Sequence, residues 1–387
     1  MAEYLIEIRL YGYAKTYAKN LIWDVAKKFR VKGAISKRPV PHVTLAGEFT
    51  SSRIGKIIEE VESVGKKYNK IPFQIKGYDC FTSTKGHKVI ALHINPSKEL
   101  ENLRWELAQR IEHYAILKEY DKQRYYHFHV TIAFKDIDRK YRKICRYLQN
   151  LEDYEINTHM LRICIIRSSN HKILYEYDLH SQRFLNRQQA KNKKTLGEEI
   201  KELHEKPIKF SLDKINPNRI FITGDLHLNH DNIITYCNRP FPSVRKMNKT
   251  LIHNWNKTIK KDDIVFYLGD LAYGRNKNKI LYWLKKLNGR VFLIEGNHDK
   301  EAKFKSILHF TKGIITYKGK EFLLIHDPKE GIIKWNGWII HGHEHNNHPK
   351  TYPFINRQNK TINVSTDLTG FKPISLDYLI NRVENMS

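Results

Sequence analysis

Gly224-Asp225-Leu226-His227 follows the apolar run Ile220-Phe221-Ile222, and comparable arrangements recur downstream. Gly269-Asp270 closes Ile264-Val265-Phe266-Tyr267-Leu268, and Gly296-Asn297-His298-Asp299 comes after Val291-Phe292-Leu293-Ile294. Ile325-His326 ends Glu321-Phe322-Leu323-Leu324, and Gly342-His343-Glu344-His345 follows Trp338-Ile339-Ile340. Short unbroken apolar runs suit strands buried on both faces of a layered α/β domain. In such sheets functional groups collect just beyond the strand ends. The glycines mark sharp turns beside potential ligands.

The donor set defines the chemistry. Carboxylate, imidazole and amide groups suit Mn²⁺, Fe²⁺ or Zn²⁺, and no thiolate lies near enough in sequence to favour a soft-metal cage. One carboxylate can bridge two ions about 3.5–4 Å apart, the spacing used by two-metal hydrolases. A lone histidine on an apolar strand is ordinarily a packed core residue. Five motifs in this order are a different matter, and they point to a dinuclear phosphoesterase site. His341, before Gly342, reads as a non-ligand.

This pattern resembles the calcineurin-like metallophosphoesterases over residues 218–387. The resemblance implies a four-layer αββα sandwich in which Asp225, His227 and His345 hold one metal and Asn297, His326 and His343 the other. It implies Asp270 as the bridge and His298, paired with Asp299, as the group facing the substrate phosphate. Two divalent ions are expected, Mn²⁺ first, with Fe²⁺, Zn²⁺ or Ni²⁺ as alternatives. The segment from Asn229-His230-Asp231 to Asn238-Arg239-Pro240-Phe241 resembles a bacterial and phage branch of that family, and Arg239 is a candidate phosphate clamp.

The first half carries a shorter signal twice, Pro41-His42-Val43-Thr44-Leu45 and Phe128-His129-Val130-Thr131-Ile132. Strand alternation puts His42 and Thr44 on one face, and His129 and Thr131 likewise, with the apolar neighbours turned to the core. If the two strands pair side by side, two imidazoles face across a cleft with two hydroxyls beside them. One imidazole takes a proton from water, the other protonates the leaving oxygen, and the hydroxyls hold the phosphate. No metal is expected there. His127 falls on the face of His129 and reads as solvent-facing, while Tyr125 and Tyr126 are candidates to stack on a base.

The pair of His-Val-Thr copies is similar to the two-histidine, LigT-like phosphoesterases over residues 1–184. That resemblance implies a bilobal fold of two sheets around a central cleft, and hydrolysis of cyclic phosphates or small nucleotide diesters. It leaves open which of His42 and His129 is the base. The readable elements are a strand over 3–10, helices over 14–29 and 52–68, a hairpin over 73–94 and a helix over 97–113.

At 387 residues two domains are expected. Residues 185–217 form the seam, a charge-rich stretch with lysines around 191–194 that reads as a semi-rigid linker. The net charge is +27, and half of the 68 lysines and arginines fall before residue 191, so the excess is not confined to a tail. Such a balance favours a polyanionic partner, here RNA. The densest basic patch runs over 135–146. The four cysteines form no Cys-x-x-Cys motif, and with no signal peptide this reads as a reducing, cytoplasmic setting. No apolar run is long enough to span a membrane, so no membrane contact is expected, and no protein partner is indicated.

The combined reading is an α/β (α+β) bifunctional enzyme for RNA ends. Its first domain opens a 2′,3′-cyclic phosphate to a phosphomonoester, as a 2′-phosphate by the LigT resemblance. Its second domain removes that phosphate or cleaves diesters. The alternatives are degradation of 2′-5′ or cyclic nucleotide messengers, and a first domain that only grips RNA.

Overall fold

The computed structural model describes residues 2–35, 39–83, 86–151, 153–192, 197–274, 279–299, 309–330 and 335–385. The chain is mixed α/β with several sheets and separates into two compact units, Met1–Lys206 and Pro207–Ser387.

The first unit contains β1 (Ala2–Arg9), β2 (His42–Ser51), β3 (Ile71–Thr82), β4 (Lys88–Pro96) and β5 (His129–Phe134). These are followed by β6 (Asp153–Met160), β7 (Arg162–Arg167), β8 (Lys172–Asp178) and β9 (Arg183–Leu185). One sheet has the order β2-β1-β7-β8-β9 and the other runs β6-β3-β4-β5, each antiparallel throughout. The helices are α1 (Gly12–Phe29), α2 (Ile54–Gly65), α3 (Lys98–Glu112) and α4 (Tyr141–Gln149). Each element expected from the sequence is present, with ends displaced by no more than three residues.

Helix α1 shows how pattern becomes packing. Tyr13, Ala14, Tyr17, Ala18, Leu21, Ile22, Val25 and Phe29 recur at helical spacing and are all buried. Arg30 ends the helix in the left-handed region at φ 50°. Tyr17 packs on Tyr154, ring centroids 4.2 Å apart, and its hydroxyl meets that of Tyr78 at 2.7 Å.

The histidine strands lie in different sheets. β2 pairs with β1 and β5 with β4, so His42 and His129 are not neighbours in one ladder, contrary to the side-by-side pairing expected from the sequence. Side chains stand perpendicular to their sheet, so two histidines confront each other across a cleft only from opposed sheets. The two approach each other as members of opposed sheets instead.

The charged seam is more ordered than its composition suggests. α5 (Arg187–Lys191) starts with a capping box at Asn186 and Gln189, and α6 (Gly197–Glu205) packs Leu203 with Leu161, Tyr11 and Ile200. Lys193 and Lys194 of its lysine stretch lie outside the described residues. Cys80 on β3 and Cys145 on α4, read from the sequence as reduced thiols, are joined as a disulfide across 65 residues. Cys164 and Cys237 are free and buried.

The second unit has β10 (Ile208–Ser211), β11 (Ile220–Thr223), β12 (Ile264–Leu268), β13 (Arg290–Ile294) and β14 (His309–Phe310). β15 (Gly313–Tyr317), β16 (Lys320–Leu324), β17 (Trp338–His341), β18 (Ile355–Asn356), β19 (Thr361–Asn363) and β20 (Ile374–Ser375) complete it. Its helices are α7 (Asn232–Tyr236), α8 (Val244–Thr258), α9 (Lys279–Leu284) and α10 (Leu376–Glu384). One sheet is β14-β13-β12-β11-β20, parallel except for β20, and the other runs β18-β19-β17-β16-β15-β10. Phe210 of β10 meets Phe266, Phe292 and Phe310 at 5.2, 5.1 and 5.6 Å, which fastens the two sheets face to face. The opposite face of β12 and β13 is covered by Met247, Leu251 and Trp255 of α8 with Ile280 and Leu287. Both faces are therefore buried, which accounts for the unbroken apolar runs.

One buried ion pair organises the first unit. Arg104 of α3 donates from Nη2 to Asp121 Oδ1 at 3.2 Å, from Nη1 to the Gln123 carbonyl, and from Nε to the Leu45 carbonyl on β2. Both side chains are fully buried. Removing the guanidinium strands Asp121, and breaking such a pair costs about 3–5 kcal/mol. Arg104→Met is therefore expected to lower the urea midpoint of the first unit by that equivalent and leave the transition of the second in place.

Candidate active sites

Residues 42–45 and 129–132 show the same burial rhythm, with His and Thr half-buried and the Val and Leu or Ile buried. The anchoring repeats as well. His42 Nδ1 lies 2.9 Å from the Val40 carbonyl, and His129 Nδ1 lies 2.9 Å from the His127 carbonyl. A carbonyl accepts only, so each Nδ1 carries the hydrogen and each Nε2 is left for chemistry. The surroundings then differ. Glu7 Oε2 sits 3.6 Å from His42 Nε2. Burial, aided by the nearby His127 and His42, pushes the His129 imidazole below its ordinary value.

His127 does not stand alone in solvent. Asp79 Oδ2 takes His127 Nε2 at 2.7 Å and His93 Nδ1 at 2.9 Å, and Phe81 lies edge-on to His127 and His129. The sequence reading missed Asp79 and His93, because they come from β3 and β4 and only strand pairing brings them to β5. Tyr126 is not an open stacking face. The Arg104 guanidinium lies 4.0 Å over its ring, and Phe128 packs against its edge. The exposed aromatic is Tyr125.

In the second unit, Asp225, Asp270, Asn297, His326 and His343 each follow the end of a strand, and His227 and His345 follow two residues after Asp225 and His343. Asp225, His227, Asp270, His343 and His345 all have φ between 47 and 70°. Left-handed backbone at residues with a Cβ stores on the order of 1–3 kcal/mol each and clusters at functional sites. The turns hold one another: Asp225 N–H donates to the Gly269 carbonyl and His227 N–H to the Asp270 carbonyl, both at 3.0 Å. Gly269 has φ 86°, and a Cβ there would strike His326 and come within 2.8 Å of the Gly296 Cα. A Cβ on Gly296 would run into the Asp270 carboxylate.

The side chains fall into two groups around Asp270. The ligand atoms of Asp225, His227 and His345 lie within 4.8 Å of one another, as do those of Asp225, Asp270 and His326. Asn297 Oδ1 is 3.0 Å from His326 Nε2 and 3.2 Å from His343 Nδ1. Asp270 Oδ2 is 3.5 Å from both His227 Nε2 and His326 Nε2, one donor of each group. The His298 side chain is about one-third exposed, and its backbone N–H donates to Asp270 Oδ1 at 2.9 Å. Asp299 turns inward and accepts from the Gly296 and Asp270 N–H groups.

These residues fit divalent cations. His227 Nε2 is buried and has no hydrogen-bond partner, although its Nδ1 is 3.0 Å from His230 Nδ1. The outward nitrogens are fixed in the manner of metal-site histidines. His326 Nδ1 faces the Leu268 carbonyl at 2.8 Å, and His345 Nδ1 faces Asp367 Oδ2 at 2.7 Å. The electrostatics agree. Although burial opposes charge, Asp270 and Asp225 hold the His326 imidazole up at about 9, and Asp225 and Asp367 hold His345 up at about 10. The site draws positive charge. His341 is buried and pushed down to about 4, with its Nδ1 on the Gly342 carbonyl.

Arg239 is not placed to clamp a phosphate. It is buried, and its five N–H groups are spent on Asp367, the Asp225 and Leu226 carbonyls and the Met247 sulfur. It braces the first ligand turn from behind. Asp367 and Ser365 carried no sequence signal, since each acts by touching a ligand from a distant loop, and His230 was legible only as part of the Asn229–Phe241 segment and not as the partner of His227. Ser365 Oγ donates to Asp225 Oδ2 at 2.8 Å.

Comparison with known proteins agrees with this division. The 2′-5′ RNA ligase superfamily model matches residues 20–172, and the calcineurin-like phosphoesterase model matches residues 218–376. An uncharacterized protein of Methanocaldococcus jannaschii is 47% identical over 169 residues, 43% of this chain and 92% of that protein. The Gene 66 protein of Mycobacterium phage L5 is 37% identical over 81 residues, 20% of this chain and 39% of that protein. Among solved structures, Escherichia coli LigT complexed with 3′-AMP is 16% identical, with a TM-score of 0.31, covering 46% of this chain and 97% of that one.

Outer hydrogen-bond partners of metal-site histidines are typically worth roughly 10–100-fold in metal affinity. Asp367→Ala is expected to weaken Mn²⁺ binding by that factor in calorimetric titration of the metal-free chain.

Proposed function

The chain belongs to the 2′-5′ RNA ligase superfamily through its first half and to the calcineurin-like phosphoesterases through its second, and on that footing we propose a bifunctional phosphoesterase of RNA ends. The first unit hydrolyses a 2′,3′-cyclic phosphate to a phosphomonoester, and the second removes that phosphate. The observation that carries the reading is the matched anchoring of His42 and His129, which leaves two Nε2 atoms for proton transfer in a unit distinct from the carboxylate and imidazole cluster. The +27 net charge supports a polyanionic substrate.

In the first unit the half-buried His129 is the base. Burial keeps it neutral, so its Nε2 takes the proton of the attacking water. His42, with Glu7 beside it, returns a proton to the departing ribose oxygen. Thr44 and Thr131, on the faces of their histidines, donate to the phosphate oxygens.

In the second unit Asp225, His227 and His345 would hold one divalent ion and Asn297, His326 and His343 the other, with Asp270 between the two groups. Mn²⁺ is the favoured metal. When bound, such ions would supply charge neutralisation at the phosphate and an activated water. His298, tied to Asp270 through its backbone N–H, turns its imidazole to the phosphate and protonates the leaving oxygen.

A 5′-labelled RNA with a 2′,3′-cyclic end tests the order of events. With Mn²⁺, the native chain is expected to give a free diol, and Asp270→Asn to stop at the phosphomonoester. His129→Ala is expected to keep the cyclic end, with a loss of about 10²–10⁴-fold. A cyclic end left intact by the native chain defeats the proposal and favours small cyclic or 2′-5′ nucleotides as substrates. Opening that survives His42→Ala and His129→Ala would reduce the first unit to a binding module.

The pH profile follows from the direction of the His129 shift. A base must be unprotonated, and a lowered value keeps it so in more acidic solution. The acid limb of kcat/KM for cyclic-phosphate opening is therefore expected below pH 6.5, the ordinary imidazole value.

A further inference from the structure

A cavity of about 570 Å³ in the first unit is lined by two residues that border His42, although His42 itself is not part of the lining. Two of its lining residues belong to the histidine's own surroundings. Arg9 is the register partner of His42 across β1 and β2, and Val40 provides the carbonyl that anchors His42 Nδ1. From there the cavity runs over β7, β8 and β9 to α5, with α1 as its other wall.

Its lining is strongly cationic. Lys15, Lys19, Lys172, Arg187 and Lys191 border it along with Arg9. Among the described residues that line it there is one carboxylate, Glu176, and that is neutralised by the buried Arg162 at 2.9 Å, which also holds Asp178. Leu10, Tyr11 and Leu174 supply an apolar floor. A site of this size with an apolar floor and a cationic rim takes a nucleotide, the flat base against the floor and the phosphate against the rim.

We propose that this cavity is a strand subsite, which holds the nucleotide and phosphate on the 5′ side of the residue whose cyclic phosphate lies between His42 and His129. The inference rests on the function proposed above and specifies its substrate as a single-stranded oligonucleotide rather than a cyclic mononucleotide. The cyclic phosphate is the 3′ end of the strand, so the chain leaves the cleft on its 5′ side, and the cations beside Arg9 and Val40 are the neighbouring ones. The reacting phosphate occupies the cleft, so the preceding phosphate reaches the adjoining cations.

The test compares a trinucleotide ending in a 2′,3′-cyclic phosphate with the matching 2′,3′-cyclic mononucleotide. It uses the full chain, Lys172→Ala/Arg187→Ala, and Lys172→Arg/Arg187→Lys as the charge-conserving control. Lys172 and Arg187 are exposed, so the fold tolerates both changes. The native chain is expected to prefer the trinucleotide at least tenfold in kcat/KM, mainly through KM. The alanine pair is expected to collapse that ratio and the control to keep it. An unchanged ratio in the alanine pair overturns the subsite, as does a native chain with no preference.

Binding of a trinucleotide ending in a 2′-phosphate, followed by fluorescence anisotropy, separates this outcome from failure of the catalytic proposal. Loss of the contact to that one phosphate should reduce the slope of log K against log salt by about 0.7 on a single strand. A chain that turns over neither substrate but shows this change of slope retains the subsite and loses the proposed reaction. No change of slope removes the subsite whatever the chemistry.

Discussion

Everything at the metal cluster depends on parallel strands that stop at a common edge. β11, β12 and β13 run in register, Phe221 opposite Val265 and Val265 opposite Val291, so the residues after their last apolar positions emerge together. The facing sheet brings β16 and β17 to the same edge in parallel. Burial on both faces leaves no freedom to slip, since a shift of one residue would exchange every side chain between faces. Asp225, Asp270, Asn297, His326 and His343 are then delivered to one place by strand length alone.

That delivery requires backbone that is costly locally. Five candidate ligands occupy left-handed φ, and the strain persists because the turns hydrogen-bond to one another and Arg239 grips the carbonyls of Asp225 and Leu226. Arg239 is the clearest case of a residue whose type was readable and whose role was not. In a proline-flanked loop it looks free to meet a phosphate. The fold instead buries it against Asp367, which in turn orients His345.

The first unit reaches its constellation by another route. Antiparallel sheets carry alternation, so one repeated phrase, His-Val-Thr, places its polar residues on the cleft face in both β2 and β5. The phrase is symmetric, whereas its setting is not. Glu7 flanks one histidine and burial surrounds the other, and this asymmetry separates acid from base in the proposed reaction. The sheet that holds His42 also lines the cationic cavity, which is the subsite proposed for the strand.

What the sequence determined by itself was local and periodic. Apolar runs and helical spacing located β11, β12, β13, β16 and β17 and the helix beginning at Gly12, because burial on one or two faces writes its period directly into the chain. The donors Asp225, His227, Asp270, Asn297, His326, His343 and His345 were legible as a candidate set for the same reason, each tied to a strand end. Only the tertiary structure decided that β2 and β5 belong to opposed sheets, that Tyr126 is capped by Arg104, that Arg239 is buried, and that Asp79 and His93 join His127. These are relations between segments far apart in the chain, set by which strands pair and which faces meet, and no local period in a sequence encodes them.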